Sequence, residues 1–393
     1  MNITFLLRLW PVYGGGETVT ICLANEMIKR GWNVSVLYFK NNTRPDLPCI
    51  DPAVKAVQIP DIRCDEFTTR FPDADKVTSY LKEYIQENDI HYLINQWWPV
   101  EYIRGIRGRY KTKIVTCLHQ ALYTPMIEGT GINGFLKKRC TSLYKFWKKR
   151  HSCRQVTRFL PHTDKYIFLS PAFQHQYEQF ANHKNTNRQL GAIPNPLVYP
   201  NEIRPEDLQS KEKTVLLVGR MVEIQKRITR AIKIWSAIEN DPRLDEWNFR
   251  IVGEGPDLAM YKQLAQTLGL KRISFEGFRN PQPYYKQAAI FMMTSAFEGF
   301  PMTLVEAQQC GVVPVVMDSY LSLHDIVETG YNGIIVSNED LTGYVNKIKE
   351  LMTDTSLREK LAMNGLHSCR RFCVEEIVNN WEELFNDLSA NRR

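Results

Sequence analysis

The sequence predicts an α/β protein of two doubly wound domains facing across a cleft. Three observations predict it. Short apolar runs alternate with amphipathic stretches, the signature of parallel βαβ units. The alternation breaks at Ile193-Pro194-Asn195-Pro196, followed by Pro200 and Pro205, and then restarts. The chain has 393 residues, more than one ordinary core accommodates. Hydrophobic residues make up 44% and charged residues 24%, which excludes disordered, collagen-like and disulfide-miniprotein classes.

The elements follow in order. Asn2–Leu7 reads as a buried first strand, since its apolar run is too short for a secretory signal. Gly14-Gly15-Gly16 opens a helix that runs to about Arg30 and is stopped by Gly31. Asn33–Tyr38, Tyr92–Asn95, Ile114–Leu118 and Tyr166–Leu169 are the next strands, and the first domain is 1–195. The second domain, 196–373, has strands at Val215–Val218, Phe249–Val252, Ile273–Phe275, Ile290–Met293 and Val313–Met317. Its helices cover Ile228–Ile238, Leu258–Leu268 and roughly 340–353 and 355–369. A last helix within 374–393 is expected to pack back on the first domain. No stretch approaches the length of a membrane-spanning helix. Nine cysteines form no CxxC pair and never cluster with histidine at ligand spacing, so reduced thiols and no metal are expected.

Charge divides unevenly. Residues 1–195 carry 27 Lys and Arg against 16 Asp and Glu, whereas residues 196–393 carry 23 against 27. A basic front half suggests an anionic surface as its counterpart. Nine cations and no acid fall in residues 137–158, among them Lys137, Lys138, Arg139, Lys145, Lys148, Lys149 and Arg150. Leu136, Cys140, Leu143, Tyr144 and Trp147 recur there at three- or four-residue steps, which predicts a basic amphipathic helix. It is either an interfacial anchor or a solvated helix packing its stripe on its own domain. Nucleic acid is not expected, because no recognition motif accompanies the charge.

The chemistry concentrates in the second half. Glu298 follows a strand, Gly299 permits a close turn, and Pro301 suits the first turn of a helix that carries Glu306 about one turn in. Backbone N–H groups at such a helix start suit a phosphate, and the two carboxylates can accept hydrogen bonds from sugar hydroxyls. Val215–Val218 ends in Gly219-Arg220, with Lys226 one short loop later. Two cations there can neutralise a diphosphate as it leaves. In the first half, Tyr13-Gly14-Gly15-Gly16-Glu17 lets backbone approach a phosphate or sugar, but Val19 defeats the dinucleotide fingerprint. His119 ends a strand at its carboxyl edge. Trp97, Trp98 and Tyr123 follow other strand ends, where they either stack on sugar rings or pack in the interior.

In order and spacing, one set of segments resembles the retaining, family-4 type of GT-B glycosyltransferase (glycosyl transferases group 1). The set comprises Val218-Gly219-Arg220 with Lys226, Ile251-Val252-Gly253-Glu254-Gly255-Pro256, Phe275-Glu276-Gly277-Phe278, Glu298 with Glu306, Gly311-Val312-Val313-Pro314-Val315-Val316 and Gly330-Tyr331-Asn332-Gly333. It covers about residues 214–336 strongly and the first half more loosely. Arg227 departs from the pattern, since glycine is commoner after the lysine.

The resemblance implies two Rossmann-like domains and retaining transfer from a nucleotide-sugar donor, with uridine diphosphate the expected carrier and neither metal nor cofactor. The implied acceptor is a saccharide, lipid-linked in view of residues 137–158, in bacterial-type cell-surface polysaccharide synthesis. The expected location is cytoplasmic, peripheral on the inner face of the cell membrane. Arg220 and Lys226, beside Gly219, would hold the diphosphate, Glu306 the ribose and Glu298 a sugar hydroxyl. Backbone near Phe278 would meet the base, and backbone over Gly299, Phe300, Pro301, Met302 and Thr303 the sugar and phosphates. Gly15 and Gly16 would lie against the diphosphate and His119 beside the sugar. His119, Arg220, Lys226 and Glu298 are the expected catalytic residues. The alternatives are a sugar-nucleotide epimerase on the same fold and a non-catalytic sugar-nucleotide-binding protein.

Overall fold

A computed structural model describes residues 1–11, 15–40, 49–60, 62, 73–96, 98–123, 141–185, 187–199 and 203–390. The chain divides into two compact units, Met1–Val198 with Val374–Arg393, and Tyr199–Cys373.

The first unit contains β1 (Asn2–Leu6), α1 (Gly15–Lys29), β2 (Asn33–Tyr38), β3 (Lys55–Gln58), α2 (Ala74–Glu87), β4 (Tyr92–Asn95), α3 (Val100–Ile103), β5 (Lys113–Leu118), α4 (Thr141–Phe159), β6 (Lys165–Phe168), α5 (Pro171–Ala181) and β7 (Leu190–Ala192). Its strands pair in parallel in the order β3-β2-β1-β4-β5-β6-β7. Phe5 at the centre faces Val36 on one side and Ile94 on the other. Strands such as β4, buried along their whole length, read as predominantly apolar runs, as parallel sheets covered on both faces require. The edge strand β3, Lys-Ala-Val-Gln, is largely exposed, and β7 is only Leu-Gly-Ala. Neither offers the apolar run that identifies the others. Because the chain winds outward from β1 and then restarts at β4, the winding direction reverses between these two strands.

The second unit contains β8 (Glu212–Val218), α6 (Glu223–Lys226), α7 (Ile228–Glu239), β9 (Asn248–Val252), α8 (Leu258–Thr267), β10 (Ile273–Gly277), α9 (Gln282–Gln287), β11 (Ala288–Met293), α10 (Met302–Gln309), β12 (Val313–Asp318), β13 (Ile334–Ser337), α11 (Leu341–Thr353) and α12 (Thr355–Ser368). The parallel order is β10-β9-β8-β11-β12-β13, so here the reversal falls between β8 and β11. Ligands of doubly wound sheets bind at the carboxyl ends of the strands flanking such a reversal.

The last helix, α13 (Val374–Ala390), belongs to the first unit. Ile377, Trp381 and Phe385 lie on one face by their four-residue spacing and are buried. The Tyr92 ring stacks on Phe385 at 4.1 Å, and the Tyr92 hydroxyl donates to the Phe385 carbonyl at 2.8 Å. Arg30 donates to Glu382 at 3.1 Å on the rim.

Beyond β8 and β9 the backbones of two loops touch. A Cβ at Gly253 would lie 2.0 Å from the Gly219 carbonyl oxygen, and φ there is +139°. A Cβ at Gly255 would lie 2.5 Å from the Met221 carbonyl oxygen. Only glycine permits this approach. Gly253→Ala is therefore expected to destabilise the second unit by about 3 kcal/mol, read as a fall in chemical-denaturation midpoint.

Candidate active site

The residues after β8 are fixed by the neighbouring strand end. The Gly219 N–H donates to the Val252 carbonyl at 3.0 Å and that of Met221 to Glu254 at 2.7 Å. The short helix α6 then delivers Gln225 and Lys226. Arg227 ends it at φ 48°, ψ 46°, the left-handed region that glycine adopts without cost. That conformation is the physical reason glycine is commoner at this position. The Arg227 guanidinium pairs with Glu339 at 3.2 Å.

Two loops meet where the winding reverses. The Ala296 N–H donates to the Gln225 carbonyl at 2.7 Å, and the Thr294 hydroxyl lies 3.1 Å from the carbonyls of Lys226 and Arg227. Above them the Glu298 carboxylate, 6% exposed, accepts from Lys226 Nζ at 2.7 Å and from Gln225 Nε2 at 3.2 Å. Gln225 Oε1 in turn accepts from Arg220 Nη2 at 3.1 Å. Arg220 is exposed, while Lys226 is spent on an ion pair with Glu298, so the two cations are not equivalent. Gln225 had no signature in the sequence; one amide beside a lysine is unremarkable until the fold places it between Arg220 and Glu298.

Glu306 is the fifth residue of α10 and is buried. Burial pushes its carboxyl up to about 7, against the hydrogen bond from the Tyr285 hydroxyl, which stands at 3.0 Å. Tyr285, on α9, is a second residue that sequence reasoning missed. Pro301 stands immediately before α10, with Met302 and Thr303 half-buried in its first turn. Gly299 is half-buried, and the Phe300 ring is buried edge-on against Phe372 at 5.4 Å. Phe278 stands half-exposed just after Gly277 at the end of β10.

In the first unit, Gly15 and Gly16 begin α1, where the Gly16 carbonyl accepts from Thr20 at 2.9 Å. Tyr13, Gly14 and Trp97 lie outside the described residues. His119 follows β5, and burial pushes its imidazole down to about 4, so it is neutral at physiological pH. Trp98 does not stack on a ligand. Its indole N–H donates to the Leu7 carbonyl at 2.7 Å and its ring stacks on Phe39 at 4.7 Å, so it is interior packing. Tyr123 packs edge-on against Phe180, with Lys149 over both rings.

Along α4, Cys153 and Val156 are buried, but Leu143, Phe146 and Trp147 are 57%, 56% and 55% exposed. Of the described residues of the apolar stripe in the first half of the helix, Leu143 and Trp147 therefore stand largely in water, while Tyr144 is half-buried. Arg150 is exposed and Lys145, Lys148 and Lys149 are half-buried. Lys137, Lys138 and Arg139, with Leu136 and Cys140, lie outside the described residues. Among the described residues, no cluster of three His, Cys, Asp or Glu could hold a metal ion.

Two family models match the chain: Glycosyl transferases group 1 over residues 199–367 and Glycosyltransferase Family 4 over residues 13–196. The chain belongs to the group 1 GT-B glycosyltransferases. This glycosyltransferase is 22% identical, over 99% of both chains, to the Campylobacter jejuni α-1,4-N-acetyl-D-galactosaminyltransferase of a GalNAc-containing diphospho-undecaprenol saccharide. It is 28% identical to a Streptomyces coelicolor exopolysaccharide phosphotransferase over 52% of its own length, which spans only 21% of that relative. The crystal structure of TarM superposes over 98% of both chains with a TM-score of 0.73 at 14% identity, and S. aureus TarM has also been solved with UDP and α-GlcNAc-glycerol. The GT-B fold is shared with these structures.

Glu306 gives a pH test of the site. Its folded value of about 7 lies above the ordinary 4.5, so the folded state holds a proton that the unfolded chain releases. Its contribution is intact below pH 4.5 and is lost as pH rises through 7, by about 3 kcal/mol in all. Glu306→Gln is expected to flatten the fall in ligand-free stability between pH 5 and 8, measured by urea midpoints.

Proposed function

We propose that this glycosyltransferase moves a sugar from a uridine-diphosphate sugar to a saccharide on a lipid carrier, with retention of configuration, in bacterial cell-surface polysaccharide assembly. The observation that carries the reading is the cluster of Arg220, Gln225, Lys226 and Glu298 at the reversal point of the second sheet. It pairs one exposed cation with a carboxylate whose lone pairs are only partly used, which suits a diphosphate and a sugar hydroxyl side by side. The donor assignment takes support from the UDP in the TarM complex. The acceptor assignment takes support from the diphospho-undecaprenol substrate in the Campylobacter relative's name.

In this mechanism the bond from the anomeric carbon to the diphosphate oxygen breaks as the acceptor oxygen bonds on the same face. The acceptor's proton passes to the departing diphosphate. Arg220 and Lys226 stabilise the charge that grows on that leaving group, in place of a metal. Glu298 is committed to Lys226 and serves as a hydroxyl acceptor, so no carboxylate nucleophile is invoked. Glu306 holds the ribose, Gly15 and Gly16 approach the diphosphate, and neutral His119 hydrogen-bonds the sugar.

The lipid carrier brings the enzyme to the inner face of the cell membrane. Leu143, Phe146 and Trp147 enter the interface, while Lys145, Lys148, Lys149 and Arg150 meet anionic headgroups, at about 1 kcal/mol per cation. Among the described residues no helix is long and apolar enough to cross a membrane.

Arg220→Ala is the clean test, because Arg220 is exposed and its loss leaves no buried charge unmatched. Turnover is expected to fall about 10²–10³-fold at an unchanged melting temperature and to be insensitive to EDTA. Wild-type rates in the variant, or epimerised donor as the sole product, would overturn the reading. For the membrane, flotation with vesicles containing anionic lipid is expected for the wild type. It should be lost when Phe146 and Trp147 become Ser, and equal flotation of the two proteins would exclude α4 as the anchor.

A further inference from the structure

Tyr285 is fully buried on α9, and its ring packs against Phe291 of β11 with centroids 5.9 Å apart. Its hydroxyl donates to Glu306 Oε2 at 3.0 Å. Among the described residues Oε1 of the same carboxylate has no hydrogen-bond partner, and Glu306 is 9% exposed rather than sealed. A carboxylate accepts through both oxygens, at about four lone-pair sites. Tyr285 occupies one oxygen and leaves the other open, which fixes the direction from which Glu306 can accept.

A third group ties the two helices together. Lys211, just before β8, donates from Nζ to the carbonyls of Tyr285, Lys286 and Cys310 at 3.1, 2.7 and 2.6 Å. Cys310 caps α10, so one ammonium holds α9 and the carboxyl end of α10, where a cation is favoured. The approach of Tyr285 to Glu306 is thus set by the packing of two clamped helices. All of these groups belong to the second unit.

We infer that Tyr285 is a positioning residue for the donor's ribose: its hydroxyl holds Oε2 of Glu306 and so presents Oε1 to the ribose hydroxyls. The inference rests on the ribose role given to Glu306 above and adds the residue that orients it. The same bond favours the ionised carboxylate, against the burial that pushes its carboxyl up to about 7. An ionised acceptor binds a hydroxyl more strongly than a neutral one. Cys310 and Tyr199 also stand close enough to act on Tyr285 electrostatically. Burial pushes Lys211 down to about 8, so the pH scan below stops at 7.

The test is Tyr285→Phe, which removes the hydroxyl and keeps the ring. Calorimetric affinities are measured for UDP and for 2′,3′-dideoxy-UDP, which lacks both ribose hydroxyls and carries the same diphosphate. At pH 7 the variant is expected to bind UDP about tenfold more weakly than wild type, and the dideoxy compound equally well. The ratio of the two affinities cancels the titration of the diphosphate. It is expected to rise between pH 5 and 7 in wild type and to rise less in the variant. An unchanged UDP affinity would overturn the inference. Equal losses for the two ligands would overturn it too, since Tyr285 would then act through the fold. Should the variant fail to fold, wild type still decides. A ratio above one that stays flat over this pH range would mean that the ionised form of Glu306 is not the acceptor, and the inference would be wrong. If wild type binds UDP no more tightly than the dideoxy compound at any pH, the ribose reading of Glu306 fails first and takes this inference with it.

Discussion

The ion pair between Lys226 and Glu298 is the interaction on which the candidate site depends. A carboxylate withdrawn from water is tolerable only when its charge is matched and its lone pairs are used. Glu298 meets both conditions with Lys226 at 2.7 Å and Gln225 at 3.2 Å. The pair joins loops 72 residues apart in sequence, and the bonds from the Thr294 hydroxyl and the Ala296 N–H to backbone carbonyls hold those loops in register. Removing one partner of such a pair leaves a bare buried charge and costs about 3–5 kcal/mol. Lys226 is therefore structural as well as chemical, and a variant there confounds lost chemistry with lost stability. Arg220, held among the described residues through Gln225, does not have this double role.

What could be read from the sequence follows the same physics. β2 and β4 occupy the residues expected of them, because a strand buried on both faces must be predominantly apolar. β3 and β7 had no such constraint and left no pattern. Arg220, Lys226, Glu298 and Glu306 were visible because charged residues, glycine and proline fall close together in the chain. Gln225 and Tyr285 were not, because an amide and a phenol are ordinary in sequence. Tyr285 matters only because the fold carries it to within 3.0 Å of Glu306. Trp98 shows an open alternative closing: a tryptophan after a strand reads equally as sugar platform or interior packing until its indole is found bonded to the Leu7 carbonyl.

Burial also sets the charge state of two ionisable groups among the candidate site residues. His119 is pushed down to about 4 and Glu306 up to about 7, in each case chiefly by desolvation. Both shifts favour the neutral form, as a low dielectric must. A neutral imidazole can donate and accept a hydrogen bond at once, which suits a hydroxyl better than an oxyanion. The fixed charge of the cluster then resides with Arg220 and the Lys226–Glu298 pair, where a diphosphate would use it.

The net charge of +7 is a poor guide to partners until it is placed in the fold. The first 195 residues hold the whole excess, and nine of their cations lie in one 22-residue segment. Charge alone would fit any polyanion. The decisive feature of α4 is that Leu143, Phe146 and Trp147 remain more than half in water on the helix that carries Lys145, Lys148, Lys149 and Arg150. Full burial of a large apolar side chain is worth about 1.5–3 kcal/mol, more than one cation contributes near an anionic surface. Three such side chains can therefore supply as much binding free energy as the basic residues around them. An aqueous polyanion would leave them exposed, whereas a lipid interface satisfies both sets of groups at once.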